Sequence, residues 1–175
     1  MTEGNDEQRA LRRAIAPRLG QLGTPLELIA EDVLGEEDGV IDWVAAAPDG
    51  RAFVVIVANC TGDAALLQAG LVQRAWLEAR LPDWRKLAPT LAAREEPPAR
   101  VLLIARDFDR ATRIAAREAA GVAIVLARWR YAGTTGEVDL ERVEPECRIA
   151  RDLLVPAPKA ASVFRTGLCD ADFVN

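Results

Sequence analysis

A mixed α/β fold, one sheet with helices packed on both faces, is what this sequence predicts, and three observations carry the expectation. Residues 52–58 and 101–105 are apolar at every position, the pattern of central strands covered on both sides. Pro48-Asp49-Gly50 separates residues 40–45 from the first of these runs, and that turn chemistry points to a β-hairpin. Helical apolar spacing fills the segments between the later strands, as strand–helix–strand units require.

The elements follow in order. Leu11, Ile15 and Leu19 recur every four residues among arginines, so residues 7–19 read as an amphipathic helix, broken by Gly20 and Gly23. Thr24, Pro25 and Glu27 have the spacing of an N-cap, a proline at the first helical position and a capping-box acid. They predict a second helix over 25–34, with Leu26, Ile29, Ala30 and Val33 inward, and residues 35–39 then form an acidic turn. After the hairpin, 64–80 reads as a helix packing Leu67, Leu71, Ala75 and Leu77, with Gln68 and Gln73 left polar. Residues 81–98 are proline-rich and read as loop, with one short helix around 84–93. Asp109 is the N-cap of a helix that ends at Gly121; 122–131 is a further strand and 137–141 a short polar one at an edge. The expected organisation is an N-terminal helix over 1–24, an α/β core over 25–145 and an extension or tail over 146–175.

The chain has 175 residues, 50% of them apolar and 28% charged, which suits one domain with a core large enough to need no staples. Its longest apolar runs fall far short of the roughly 20 residues that span a bilayer, so no membrane partner is expected. The first residues lack the basic-then-apolar layout of a secretory signal, and the expected location is the cytoplasm. There is no histidine, which removes imidazole relays, imidazole zinc sites and histidine general bases. Cys60, Cys147 and Cys169 are far apart and form no Cys-x-x-Cys pair, so they read as reduced structural thiols. Any chemistry therefore falls to carboxylates, amides and hard metal ions.

Charge is unevenly spread: residues 1–50 carry a net −7, 51–135 a net +5 and 136–175 a net −3, within a total of −5. The overall balance argues against tight nonspecific binding of nucleic acid, which draws on accumulated positive charge, while leaving a local basic face. Arg110, Arg113 and Arg117 fall on one stripe of the helix after residues 101–105, and Arg106, Arg128 and Arg130 extend it. As a function this is a track for a phosphate backbone; as a bland alternative it is a solvated face paired with Asp107, Asp109 and Glu118.

The order of pieces resembles the PD-(D/E)XK, or restriction-endonuclease-like, nuclease superfamily, which includes RecB-type nucleases. The residues that carry the likeness are 40–45 with Asp42, Pro48-Asp49-Gly50-Arg51, Phe53-Val54-Val55-Ile56, and Gln68 on the following helix. The resemblance implies an aspartate on one hairpin strand facing a Glu-x-Lys on the next, a cleft-lining glutamine, and a glutamate from a preceding helix, which Glu31 matches. In that family two acidic ligands hold Mg²⁺ or Mn²⁺, and the metal activates water and neutralises the phosphate. Glutamate and lysine stand one residue apart because side chains at i and i+2 share a strand face.

Laid on this chain, the pattern puts Val57 in the glutamate position and Asn59 in the lysine position. Phe53, Val55, Val57 and Asn59 share one face, so sliding the register by two does not restore the motif. Asp42 remains, opposite Val57, with Glu31 as a weaker second acid for a metal. The resemblance thus implies a degenerate nuclease-like domain with no intact catalytic set and no cofactor, acting by binding nucleic acid weakly or a protein partner or second copy. Two readings compete with it. One is an active Mg²⁺- or Mn²⁺-dependent nuclease whose missing groups come from Glu31, Asp63 or an arginine. The other is a structural or oligomerisation protein without nucleic-acid contact.

Overall fold

A six-stranded sheet in simple sequence order, β1-β2-β3-β4-β5-β6, organises the chain. The computed structural model describes residues 3–36, 39–88, 98–119, 124–133 and 137–144, so expectations for 84–93 beyond residue 88 and for 146–175 lie outside the described residues. Strands β1 (Glu27–Leu34), β2 (Val40–Ala46) and β3 (Ala52–Val57) form an antiparallel meander. Strands β4 (Arg100–Ala105) and β5 (Ile124–Ala132) add parallel to β3, and β6 (Glu137–Val143) closes the far edge antiparallel to β5. Helix α2 (Ala64–Leu87) links β3 to β4 and α3 (Arg110–Glu118) links β4 to β5.

Each face of the sheet has its own core. Ala52, Val54, Ile56, Val101, Leu103 and Leu126 pack with Leu67 and Leu77 of α2 and Ala116 of α3. Phe53, Val55, Val57, Leu102, Ile104 and Trp129 pack on the other face with Leu11 and Ile15 of α1 (Glu3–Ile15) and Leu19 of the 3₁₀ segment Ala16–Leu22. Val54 and Val55 are both fully buried, which is why β3 is apolar at every position. The helices lie on both faces, as the sequence predicts.

Residues 25–34 are a correction: the expected second helix is the edge strand β1. The helix-like spacing of its apolar residues has a local cause. The pairing with β2 shifts register between Leu28 and Ala30, and Asp32 has a φ of +52°, so the strict alternation of a strand is interrupted twice. Pairing with β2 then overrides the capping signature. A second correction concerns α2, which continues to Leu87 through the exposed Pro82 where loop was expected. The Asp109 cap stands as read, its carboxylate accepting the Thr112 N–H at 2.6 Å; α2 has a cap of the same kind that the sequence reading did not name, the Asp63 carboxylate accepting the Leu66 N–H at 3.0 Å.

Candidate functional site

The alternation of β2 changes phase at one residue. Ile41 joins the core under α2 and Trp43 the core under α1, and between them stands Asp42, a carboxylate only 7% exposed. A charge buried to that degree must be satisfied from every side. Its Oδ2 accepts the backbone N–H of Val57 at 2.6 Å, and its Oδ1 accepts Nη1 of Arg12 at 2.9 Å. Arg12 is itself buried near the end of α1, and the same Nη1 also donates to the carboxylate of Asp32 on β1. One guanidinium thus ties the N-terminal helix to two strands.

The electrostatics follow from that burial. Loss of hydration raises the Asp42 pKa above the ordinary carboxylate value; the Val57 N–H and Arg12 oppose the rise without cancelling it, and the Asp32 charge adds to it. Burial by itself would lower the Arg12 pKa, but the two aspartates outweigh it and hold the guanidinium above its usual value. Asp32 reaches Arg12 from a left-handed backbone conformation, which aspartate tolerates better than most residues. Beside the trio lies a hollow of about 350 Å³ lined by Arg9, Arg12, Arg13, Glu31, Asp32 and Trp43.

The other residues singled out by sequence are dispersed. Val57 is buried on the α1 face, while Asn59 lies past the end of β3 and is exposed. Glu31 is exposed on strand β1, not on a helix, and lines the hollow beside Arg12. Asp63 is engaged as the N-cap of α2. Gln68 is exposed and lines a different depression with Glu36 and Val72. The buried glutamine of α2 is instead Gln73, whose amide accepts the Glu36 N–H at 3.0 Å and donates to the Glu36 carbonyl at 2.9 Å.

The arginine stripe divides. Arg110, Arg113 and Arg117 lie on α3, and Arg128 pairs with Glu141 across β5 and β6 at 2.6 Å. Arg130 is exposed further along β5. Arg106 leaves this group: its guanidinium lies 5.1 Å from the ring centre of Trp129, which belongs to the α1-side core.

Arg12 and Asp32 are the site residues that sequence reasoning missed. Asp42 lies 30 positions from Arg12, and Asp32 lies 20 away, so no local motif joins them. The available signal was an arginine directly flanking Leu11, at the margin of the apolar stripe of α1. As a metal site the set fits poorly. A divalent ion needs several free oxygens, yet both oxygens of Asp42 are engaged and its neighbour is a fixed cation. Among the described residues no three His, Cys, Asp or Glu side chains are gathered as metal ligands would be. No helix among them is long and apolar enough to cross a membrane.

No protein-family model matches the chain, and no curated protein sequence matches it. Two solved structures are similar. A repair endonuclease from Pyrococcus abyssi has 14% identity and a TM-score of 0.40, over 81% of this chain and 47% of that one. EndoMS in complex with dsDNA has 12% identity and a TM-score of 0.40, over 82% of this chain and 46% of that one. The chain therefore spans about half the length of each.

Proposed function

We propose that the chain is a nuclease-like domain of restriction-endonuclease-like type that no longer cleaves phosphodiesters and acts by binding, with nucleic acid as its ligand. The supporting observation is the closed circuit at Asp42, where Arg12 takes one carboxylate oxygen and the Val57 N–H takes the other. Cleavage in this chemistry needs acidic oxygens open to Mg²⁺ or Mn²⁺ and a cation open to the phosphate. Here the acid and the cation neutralise each other, and Val57 contributes a buried apolar side chain in place of a second ligand. The net +5 of residues 51–135, which include Arg106, Arg110, Arg113, Arg117, Arg128 and Arg130, supplies the attraction to phosphate.

The test incubates the protein with labelled single- and double-stranded DNA and RNA, with and without Mg²⁺ or Mn²⁺, and follows both cutting and gel retardation. The expected result is retardation that weakens steeply with salt and no cutting under either ion. Metal-dependent cutting that disappears in Asp42→Ala would overturn the reading in favour of an active nuclease with relocated ligands. That competing reading draws on Asp32, the second carboxylate on Arg12, and on Arg12 as the arginine beside Asp42. Flat titrations with every nucleic acid would transfer the binding role to a protein partner or a second copy of the chain.

A further inference from the structure

At the opposite end of β3 from Val57 lies a second hollow, of about 270 Å³, between the β2–β3 turn and the loop entering β1. Thr24, Pro48, Asp49, Arg51, Phe53 and Arg100 are among its lining residues. From residue 51 to residue 57 a strand covers roughly 20 Å, so this hollow is well removed from Asp42. The sheet register explains why two arginines meet there. Arg100 opens β4 directly beside Phe53 of β3, and Arg51 precedes Phe53 by two residues, so alternation points both guanidinium groups to the α1 side.

Three features of this pair call for an anion. The Nε atoms of Arg51 and Arg100 are both closed off from solvent and have no hydrogen-bond partner. Arg100 forms no salt bridge among the described residues, and Arg51 is only 3.6 Å from a single carboxylate, Asp49. Among the described residues Asp49 is the one acid lining the hollow, and its Oδ1 already accepts the Arg51 backbone N–H at 3.1 Å. Burial, and after it the neighbouring Arg51, lowers the Arg100 pKa, with Asp49 a partial counterweight. Like charges held together beside a cavity are stabilised by an anion with several acceptor oxygens, and guanidinium forks suit the oxygens of phosphate.

We propose that the hollow between Arg51 and Arg100 is a phosphate-binding site, separate from the Arg12 trio. A phosphate seated there takes hydrogen bonds from both guanidinium groups and relieves their mutual repulsion. The same chemistry is offered by a free or terminal phosphate and by a backbone phosphodiester, and the experiment separates the two.

Inorganic phosphate is titrated into the full chain at constant ionic strength, with thermal unfolding and backbone amide shifts as readouts. At phosphate about tenfold above its Kd, the midpoint is expected to rise by about 3 °C, with the amides of Thr24 and Arg51 moving. Arg100→Met should fold, because it removes a charge facing another, and should weaken phosphate binding about tenfold or more. Should it fail to fold, Arg100→Lys keeps the charge without the fork, and the amide shifts of the unmodified chain report on their own. A 5′-phosphorylated oligonucleotide binding more tightly than its unphosphorylated twin, with the difference lost in Arg100→Met, assigns a terminal phosphate. Equal binding of both, weakened equally in Arg100→Met, assigns the backbone. No shift at about 20 mM phosphate, or an equal shift in Arg100→Met, overturns the proposal.

Discussion

Asp42 and Val57 meet across the β2–β3 hairpin, where the Asp42 Oδ2 accepts the Val57 N–H at 2.6 Å. The last registered backbone pair on that side is Trp43 with Val55, so the carboxylate supplies an acceptor where strand pairing would otherwise use a carbonyl. The aspartate is thereby built into the ladder, and its remaining oxygen is held by Arg12. A group so placed serves the fold first. Its behaviour on mutation and with pH should be that of a buried structural charge.

Removing the cation is the direct test. Arg12→Met keeps an unbranched apolar stem at this position but leaves Asp42 buried without its partner. The expected loss is about 3–5 kcal/mol, read from the urea midpoint at neutral pH. The double variant Arg12→Met/Asp42→Asn should recover much of it, since no charge is then stranded. A double variant as unstable as the sum of its singles would show that Arg12 acts through packing alone.

The pH dependence of Asp42 has a definite sign. Its pKa in the fold is raised, chiefly by burial, so the folded chain holds this proton more tightly than the unfolded chain does. The resulting stabilisation is complete below about pH 3.9, the ordinary carboxylate value, and is lost as pH rises through the higher value in the fold. Asp42→Asn keeps an oxygen for the Val57 N–H and cannot ionise. Wild type should therefore lose stability relative to Asp42→Asn between about pH 3 and about pH 7, measured by denaturant midpoints at each pH. A relative gain over that interval would mean that Arg12 and Val57 together outweigh the burial.

Much of the fold was legible in the sequence because its signals are local. Pro48-Asp49-Gly50 marked the hairpin, the unbroken apolar runs marked β3 and β4, and Asp109 marked the start of α3. β1 was not legible: a register shift and a left-handed Asp32 break its alternation, and the residues left over fall at helical spacing. Asp42 was visible as a candidate because the resemblance read from the sequence calls for an aspartate on the first strand of the hairpin. Arg12 was not, because its role depends on how α1 docks on the sheet, which the apolar stripe of Leu11 and Ile15 sets only to within a rotation.

Asp32 carries a backbone test of its own. Its φ of +52° is costly for a β-branched residue and milder for aspartate, asparagine or glycine. Asp32→Asn retains that tolerance and removes only a half-exposed charge, whereas Asp32→Val also forces a branched side chain into the left-handed region. The valine variant should be less stable than the asparagine variant by about 1–2 kcal/mol, compared by urea midpoints with unchanged m. Equal stability would mean that β1 straightens at this position, and a straightened strand would carry residue 32 away from Arg12.

Gln73 and Gly35 give the last test, because the turn between β1 and β2 rests on the α2 helix through one amide. A Cβ on Gly35 would fall 1.7 Å from Gln73 Oε1, and each of its three nearest atoms belongs to Gln73. Gly35→Ala must therefore expel that side chain and forfeit its bonds to Glu36. Gln73→Ala leaves the Glu36 N–H without its partner, while the Glu36 carbonyl still accepts the Gly39 N–H, at an expected cost of about 1–3 kcal/mol. Once Gln73 has been truncated, however, the Cβ at position 35 is rid of its three nearest neighbours, so the second substitution should add little. Chemical denaturation of the two singles and the double should give a coupling of about 1–3 kcal/mol. Strict additivity would place the cost of Gly35→Ala in its own backbone, and the turn would then owe its shape to glycine rather than to the helix beneath it.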